Sequence, residues 1–230
     1  DHRDLHSFPT RRSSDLDAEF LRALSNTFQS AGLATGLGIL LGVPLAHLLA
    51  NNRFPGRGWI EALITLPILL PHTAAGVALL MVFGREGWLG RPLAWLGLFF
   101  TDRMAGITVA MLFVGLPFLV HAMRDAFSLL DPELERSAQV DGASAWQIFY
   151  FITLPQTWRA LLSGGVMMWA RGISEFGAVV ILAYHPKVLP TLVFERFAGY
   201  GLNAAQPITL LLIILAFLLL GLLRGLARRT

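Results

Sequence analysis

Arg171 and Glu175 are opposite charges four positions apart inside an apolar run, roughly Ala160 to Ala183. Each ionised group at that depth of a membrane costs roughly 2.5–3.5 kcal/mol on insertion scales. On a helix they share a face and can pair, although Arg before Glu is the less favourable order. Two readings are open. In one, both charges bond to neighbouring helices and lock a bundle. In the other they line a pathway or gate, with Arg171 offering positive potential to an anion. A second apolar run, Trp59 to Phe83, is interrupted by Pro67 and Pro71 and continues with His72 and Thr73. Proline there frees backbone carbonyls, tolerated where helices pack or line a water-filled path. An intramembrane enzyme using Glu175 with His72 or His185 is the rival chemistry. Against it, the histidines lack a spacing such as H-E-x-x-H, and His185 falls in a predicted external loop.

The most polar stretch is Asp131 to Pro155, DPELERSAQVDGASAWQIFYFITLP. Asp131 can cap a helix that starts at Pro132, where a missing N–H costs nothing. Glu133 and Glu135 then sit at the positive end of the helix dipole. Gly142 permits a turn that a Cβ would resist. Ser144 and Gln147 have capping-box spacing, so a second short helix starts there. Pro155 is expected to stop that helix and open the next. The product is a helix–turn–helix knob between apolar segments, a docking surface. A DNA-binding helix-turn-helix has the same outline, but Arg136 is the only basic residue within it, and a phosphate backbone needs a basic patch. A merely structural loop is the bland alternative.

Composition bounds the class. The chain has 230 residues, 55% of them hydrophobic and 14% charged, against about 25% charged in soluble domains. Mean hydropathy is +0.60, which reads as an integral membrane protein. There is no cysteine, which excludes disulfides, thiolate metal sites and cysteine nucleophiles. The formal charge of +3 is too small to imply a nucleic-acid partner. The single lysine, Lys187, follows Pro186, so no Gly-Lys-Ser/Thr phosphate loop exists. If ATP drives this protein, another subunit binds it.

Five apolar segments are expected to span: Thr27 to about Ala50, Trp59 to Phe83, about Ala105 to Val120, Ala160 to Ala183 and Ile208 to Leu223. A length of about 20 residues covers the ~30 Å hydrocarbon layer. Gly32 and Gly36, then Gly38 and Gly42, give small-xxx-small spacing for close helix packing. Residues 84–103 read as an irregular loop whose Trp88 and Trp95 suit the interface. Loops 51–58, 121–159 and 224–230 hold eight arginines, whereas loops 84–104 and 184–207 hold five basic residues. That bias places the first set, and the knob, in the cytoplasm. Residues 1–16, DHRDLHSFPTRRSSDL, do not fit the rest of the chain. They resemble the translation of a short-read sequencing adapter and are set aside as non-native.

The knob resembles the cytoplasmic loop of ATP-binding-cassette importer permeases on Ala138, Gly142, Ala143, Phe149, Ile152, Leu154 and Pro155. In that family the loop, called the EAA motif, forms coupling helices that sit in a groove of the ATPase subunit. This chain departs from the pattern. Arg136, Ser137 and Ala138 stand where Glu, Ala and Ala are expected, and Glu135 is one place early. The acidic contact with the ATPase is therefore expected to be shifted or lost. Ser174-Glu175-Phe176-Gly177-Ala178 is similar to an S/G-E-F-G-A run of molybdate- and tungstate-type permeases, with sulfate permeases as relatives. The turn Tyr184-His185-Pro186-Lys187 favours the tungstate/molybdate branch.

The resemblance implies an all-α integral membrane protein, a polytopic bundle of five visible transmembrane helices, six in the intact protein. Residues 17–230 would be the permease domain, and a first span would have been lost where the adapter-like stretch sits. The site residues implied are Glu135, Arg136, Ala138, Gly142, Ala143 and Pro155 for ATPase coupling. From the residues themselves, Arg171, Ser174, Glu175, Pro67, Pro71 and Thr73 are the candidates to line the pathway or gate, with a structural lock of the two charges and a kinked packing helix as the alternatives. The chain would bind no cofactor, with ATP-Mg on a separate ATPase subunit. Its partners would be a second permease copy, two ATPases, an extracytoplasmic oxyanion-binding protein and the bilayer of a prokaryotic plasma membrane. A self-sufficient channel or secondary transporter is the remaining alternative.

Overall fold

The computed structural model describes residues 13–52 and 54–227. Most of the adapter-like stretch, together with Arg53, Arg228, Arg229 and the side chain of Arg224, lies outside the described residues. Every described element is helical. Helix α1 (Ser13–Asn51) is followed by α2 (Arg57–Leu69), α3 (His72–Phe83), the single turn α4 (Gly90–Ala94) and α5 (Met104–Ser128). The knob comprises α6 (Pro132–Val140), α7 (Ala145–Ile148), a π-helical turn at Phe149–Thr153 and α8 (Leu154–Gln156). Then come α9 (Trp158–Ile173), α10 (Gly177–Leu182), α11 (Leu189–Tyr200) and α12 (Leu202–Ala227).

Helix α5 is the centre. Its buried residues Ile107, Ala110, Met111 and Val114 join one apolar cluster with Ala31, Ala75 and Val179. Leu119, Val120 and Met123 join a second with Val43, Ala46 and Met168. Glycines set the closest approaches. A Cβ on Gly115 would lie 2.9 Å from Met168 O, and one on Gly164 would lie 3.3 Å from Leu119 Cα. Gly42 packs against Leu116 and Val120, and Gly38 against Met168, as the small-residue spacing predicts. Gly32 and Gly36 do not conform to it. Nothing lies within 4 Å of a Cβ at either position, so that side of α1 is open.

Two expected spans are broken, and this is the main departure from the expected topology. Among the described residues, two helices are long and apolar enough to cross a membrane unbroken, Ala18–Asn51 and Met104–Ser128. The run Trp59 to Phe83 divides into α2 and α3 at Leu70 and Pro71. Proline drives the residue before it out of the helical region, and Leu70 is extended (φ −76°, ψ 136°). Pro67 is buried inside α2 and does not break it. The run Ala160 to Ala183 divides into α9 and α10 at Ser174–Phe176. The third span is longer than expected, with Pro117 inside α5. The loop expected at 184–207 contains α11.

Candidate functional site

The two breaks meet. Pro71, the residue before α3, and Gly177, the first of α10, bring the two helix starts together. A Cβ on Gly177 would lie 2.6 Å from His72 Cβ and 3.1 Å from Thr73 N. One on Gly76 would lie 2.9 Å from Ala178 Cα. Only glycine lets the backbones approach this closely.

A charged network sits at the junction. Glu175 is the most buried of its members, 1% exposed in its side chain. Its Oε2 accepts from Arg171 Nη2 at 3.0 Å and lies 3.3 Å from His72 Nδ1. Its Oε1 accepts from Ala178 N at 2.8 Å, satisfying one of the orphan amides at the start of α10. A buried carboxylate persists only when paired and hydrogen-bonded, and both oxygens here are. Arg171 also donates from Nη1 to Ser174 Oγ at 3.2 Å, and its Nη2 is 3.0 Å from the ring nitrogens of His72.

The structure thus brings together Arg171, Ser174 and Glu175, with Pro71 at the break. Thr73 is exposed next to His72, and Pro67 stays buried in α2. The pair expected within one helix is in fact a contact across a helix end, because α9 stops at Ile173. His72 is the member that sequence reasoning assigned only to the rival enzyme. Its position directly after Pro71 was the available signal. His185 is elsewhere: its backbone N–H donates to Asp102 Oδ1 at 3.2 Å. Arg171 and Ser174 open onto a cleft of about 590 Å³, walled by apolar side chains such as Phe118, Met167, Val193 and Leu215.

The knob forms from its local signals. Asp131 Oδ1 accepts from Glu133 N at 2.9 Å. Ser144 and Gln147 exchange both capping-box bonds. Gly142 has φ +88°, and Ala143 N donates to Ala138 O while Gly142 N donates to Gln139 O, the paired closure of a Schellman motif. Ala138 and Ala143 are half-buried and Arg136 is exposed. Glu135 points inward, its Oε1 accepting from Thr153 Oγ1 at 2.7 Å. Trp146, 69% exposed, stacks on Tyr150 with centroids 5.4 Å apart. Pro155 behaves differently from expectation. It lies within a continuous helical run, directly after the π-helical turn and at the second position of α8. The break falls at Thr157 (φ −101°, ψ 10°). From there α9, 16 residues long, runs roughly 24 Å to the charged junction at 1.5 Å per residue.

On the α11 side, Lys187 Nζ donates to Glu19 and Glu195 at 2.7 Å each. Tyr184 donates to the other oxygen of Glu195 at 3.1 Å. Burial would lower the Lys187 ammonium, but the two carboxylates outweigh it and hold it above its usual value. Thr27 of α1 accepts from Leu189 N at 2.8 Å, capping the start of α11.

The chain is similar to known proteins over most of its length. It is 38% identical to the molybdate/tungstate transport system permease protein WtpB of Thermococcus kodakarensis, over 93% of this chain and 81% of that protein. To WtpB of Methanocaldococcus jannaschii it is 36% identical, over 93% and 84%. A probable sulfate transport system permease protein, cysT of Zygnema circumcarinatum, is 32% identical over 87% and 71%. Among solved structures, an inward-facing MetNI methionine ABC transporter chain matches at TM-score 0.73 and 17% identity, covering 94% of this chain and 98% of that one. A bacterial alginate ABC transporter chain matches at 0.71 and 21%, covering 92% and 79%. These two share the fold. Residues 38–230 match the family model described as binding-protein-dependent transport system inner membrane component, and the chain belongs to that family.

Proposed function

We propose that this chain is the membrane-spanning permease subunit of an ATP-driven oxyanion importer that carries molybdate or tungstate. Two copies form the pathway in a prokaryotic plasma membrane, each crossing it several times. Two ATPase subunits, which hold ATP-Mg, dock on the knobs, and an extracytoplasmic binding protein delivers the ion. The observation that carries this reading is the charged junction of Arg171, Ser174, His72 and Glu175 between two broken helices. Such breaks, with helix starts turned to a polar site, are how membrane transporters present backbone and charge to a substrate. Helix α9 ties that junction to the exposed aromatic knob, so motion of a docked ATPase reaches it as a rigid-body shift. In this reading Arg136, Ala138, Gly142, Ala143 and Pro155 belong to the coupling surface, and Glu135 holds it together from inside. Arg171, Ser174 and Glu175, with Pro71 and Thr73, border the pathway. The substrate class is supported by the names of the relatives at 36–38% identity. Sulfate is the second reading, supported by the relative at 32%.

The test is ATP hydrolysis and uptake in proteoliposomes that contain the chain, its genomic-neighbour ATPase and its binding protein. Stimulation by tungstate or molybdate is the expected result. Stimulation by sulfate alone would replace the substrate and keep the importer. Failure to form a complex with any ATPase would sink the importer reading.

A further inference from the structure

The loop between α3 and α5 closes into a small bowl. Trp88 N–H donates to Met81 O at 3.2 Å and Leu89 N–H to Val82 O at 2.8 Å, folding the chain back on the end of α3. A Cβ on Gly90 would collide with the carbonyls of Gly84 and Phe83, so the return is possible only with glycine. The far side comes back through Phe100, whose carbonyl blocks any Cβ on Gly106 at the start of α5. Between the two sides is a cavity of about 340 Å³, lined by Phe83, Phe99, Phe100, Arg85, Thr101 and Arg103 among others.

Several features say what the bowl fits. Its only charged lining residues are the two arginines, and neither forms an ion pair among the described residues. Asp102, between Thr101 and Arg103, is occupied outside it, accepting from His185 N. Thr101 lines the cavity, and its Oγ1 is buried with no hydrogen-bond partner among the described residues. The remaining walls are aromatic and aliphatic. Trp88 and Trp95, in the same loop, are 80% and 87% exposed, and exposed indoles of a membrane protein belong at the headgroup level.

We propose that this bowl binds the phosphate of an anionic phospholipid. Arg85 and Arg103 supply the charge, as guanidiniums match phosphate oxygens. Thr101 supplies a hydroxyl donor, and the phenylalanines face the glycerol and the first acyl carbons. A tetrahedral oxyanion free in solution shares the charge chemistry but has no use for the apolar walls or the flanking tryptophans. The site stands independently of the transport reading.

The test uses the full chain in nanodiscs of phosphatidylcholine doped with phosphatidylglycerol, with lipid retention read by native mass spectrometry after delipidation. The wild type should keep phosphatidylglycerol several-fold over phosphatidylcholine, and R85Q/R103Q should bring the two to parity. R91Q changes the same loop outside the cavity lining and should keep the preference, as should R85K/R103K in part. T101V should lose part of it. A thermal melt of each variant identifies any that unfold, and the lysine and valine variants then carry the test. Undiminished preference in R85Q/R103Q overturns the proposal. Equal loss in R91Q overturns it in favour of diffuse surface charge. Displacement of the lipid by millimolar inorganic phosphate or molybdate overturns the lipid assignment in favour of a free anion.

Discussion

Glu135 Oε1 accepts a hydrogen bond from Thr153 Oγ1 at 2.7 Å, joining α6 to the π-helical turn across 18 residues of chain. The carboxylate that stands one place early for a docking contact has an internal use. It fixes one half of the knob to the other, and the residue that faces outward instead is Arg136.

Removing the carboxylate should therefore loosen the knob. A hydrogen bond to a charged group is worth about 1.5–3 kcal/mol, and E135A should lose part of that because the group is partly exposed. Limited proteolysis within 131–155 should speed up in E135A and stay unchanged in R136A. The reverse order would mean that Arg136, through some packing role, is the internal brace.

Gly177 permits the contact between α10 and α3. Overpacking of this kind costs roughly 1–3 kcal/mol, and here it would also displace His72 from Glu175. G177V should abolish uptake while the protein remains in the membrane. G32V, at a position with nothing within 4 Å of its Cβ, should leave uptake near normal. Equal behaviour of the two variants would remove the case for a close crossing at the junction.

Glu175 separates support from transport. E175A leaves Arg171 without its carboxylate and α10 without its cap, and breaking a buried pair costs about 3–5 kcal/mol. Replacing both charges, as in R171M/E175L, should recover much of the thermal stability. If the junction borders the pathway, uptake stays lost in the recovered double variant. Restored uptake there would reduce the pair to a structural lock.

The Lys187 clasp has a pH signature. A group held above its unfolded pKa in the folded state gives stability that is full below the unfolded value and is lost as pH rises through the folded one. For Lys187 the ordinary value is 10.5, so the clasp should hold through neutral pH and weaken in strong alkali. K187M should melt below wild type near neutrality, with the gap closing in alkali. A constant gap would assign the loss to packing of the lysine stem.

The knob was legible because its signals are local. Asp131, Ser144, Gln147 and Gly142 each cap or turn a helix through atoms within a few residues, and those rules need no partner. The break at Pro71 was half legible: two prolines marked the segment, but steric exclusion at Leu70 acted while buried Pro67 was carried inside the helix. The break at Ser174–Phe176 carried no proline. It exists because Glu175 finds Arg171, His72 and the amide of Ala178, and two of those contacts depend on distant chain or on the break itself. Helix α11 was hidden for a similar reason. Glu195 and Arg196 read as loop charges until Lys187, Tyr184 and α1 supply their surroundings. Gly32 and Gly36 matched a packing spacing on a side of α1 that meets no other described helix of this chain.

The crossing at Gly177 also bears on how the protein is made. His72 and Arg171 are 99 residues apart in the chain, so synthesis delivers α3 long before α10 exists. During that interval the glycine face of α3 has nothing to press against, and His72 has neither of its partners. The contacts that complete α3 therefore form only once the second half of the chain has arrived.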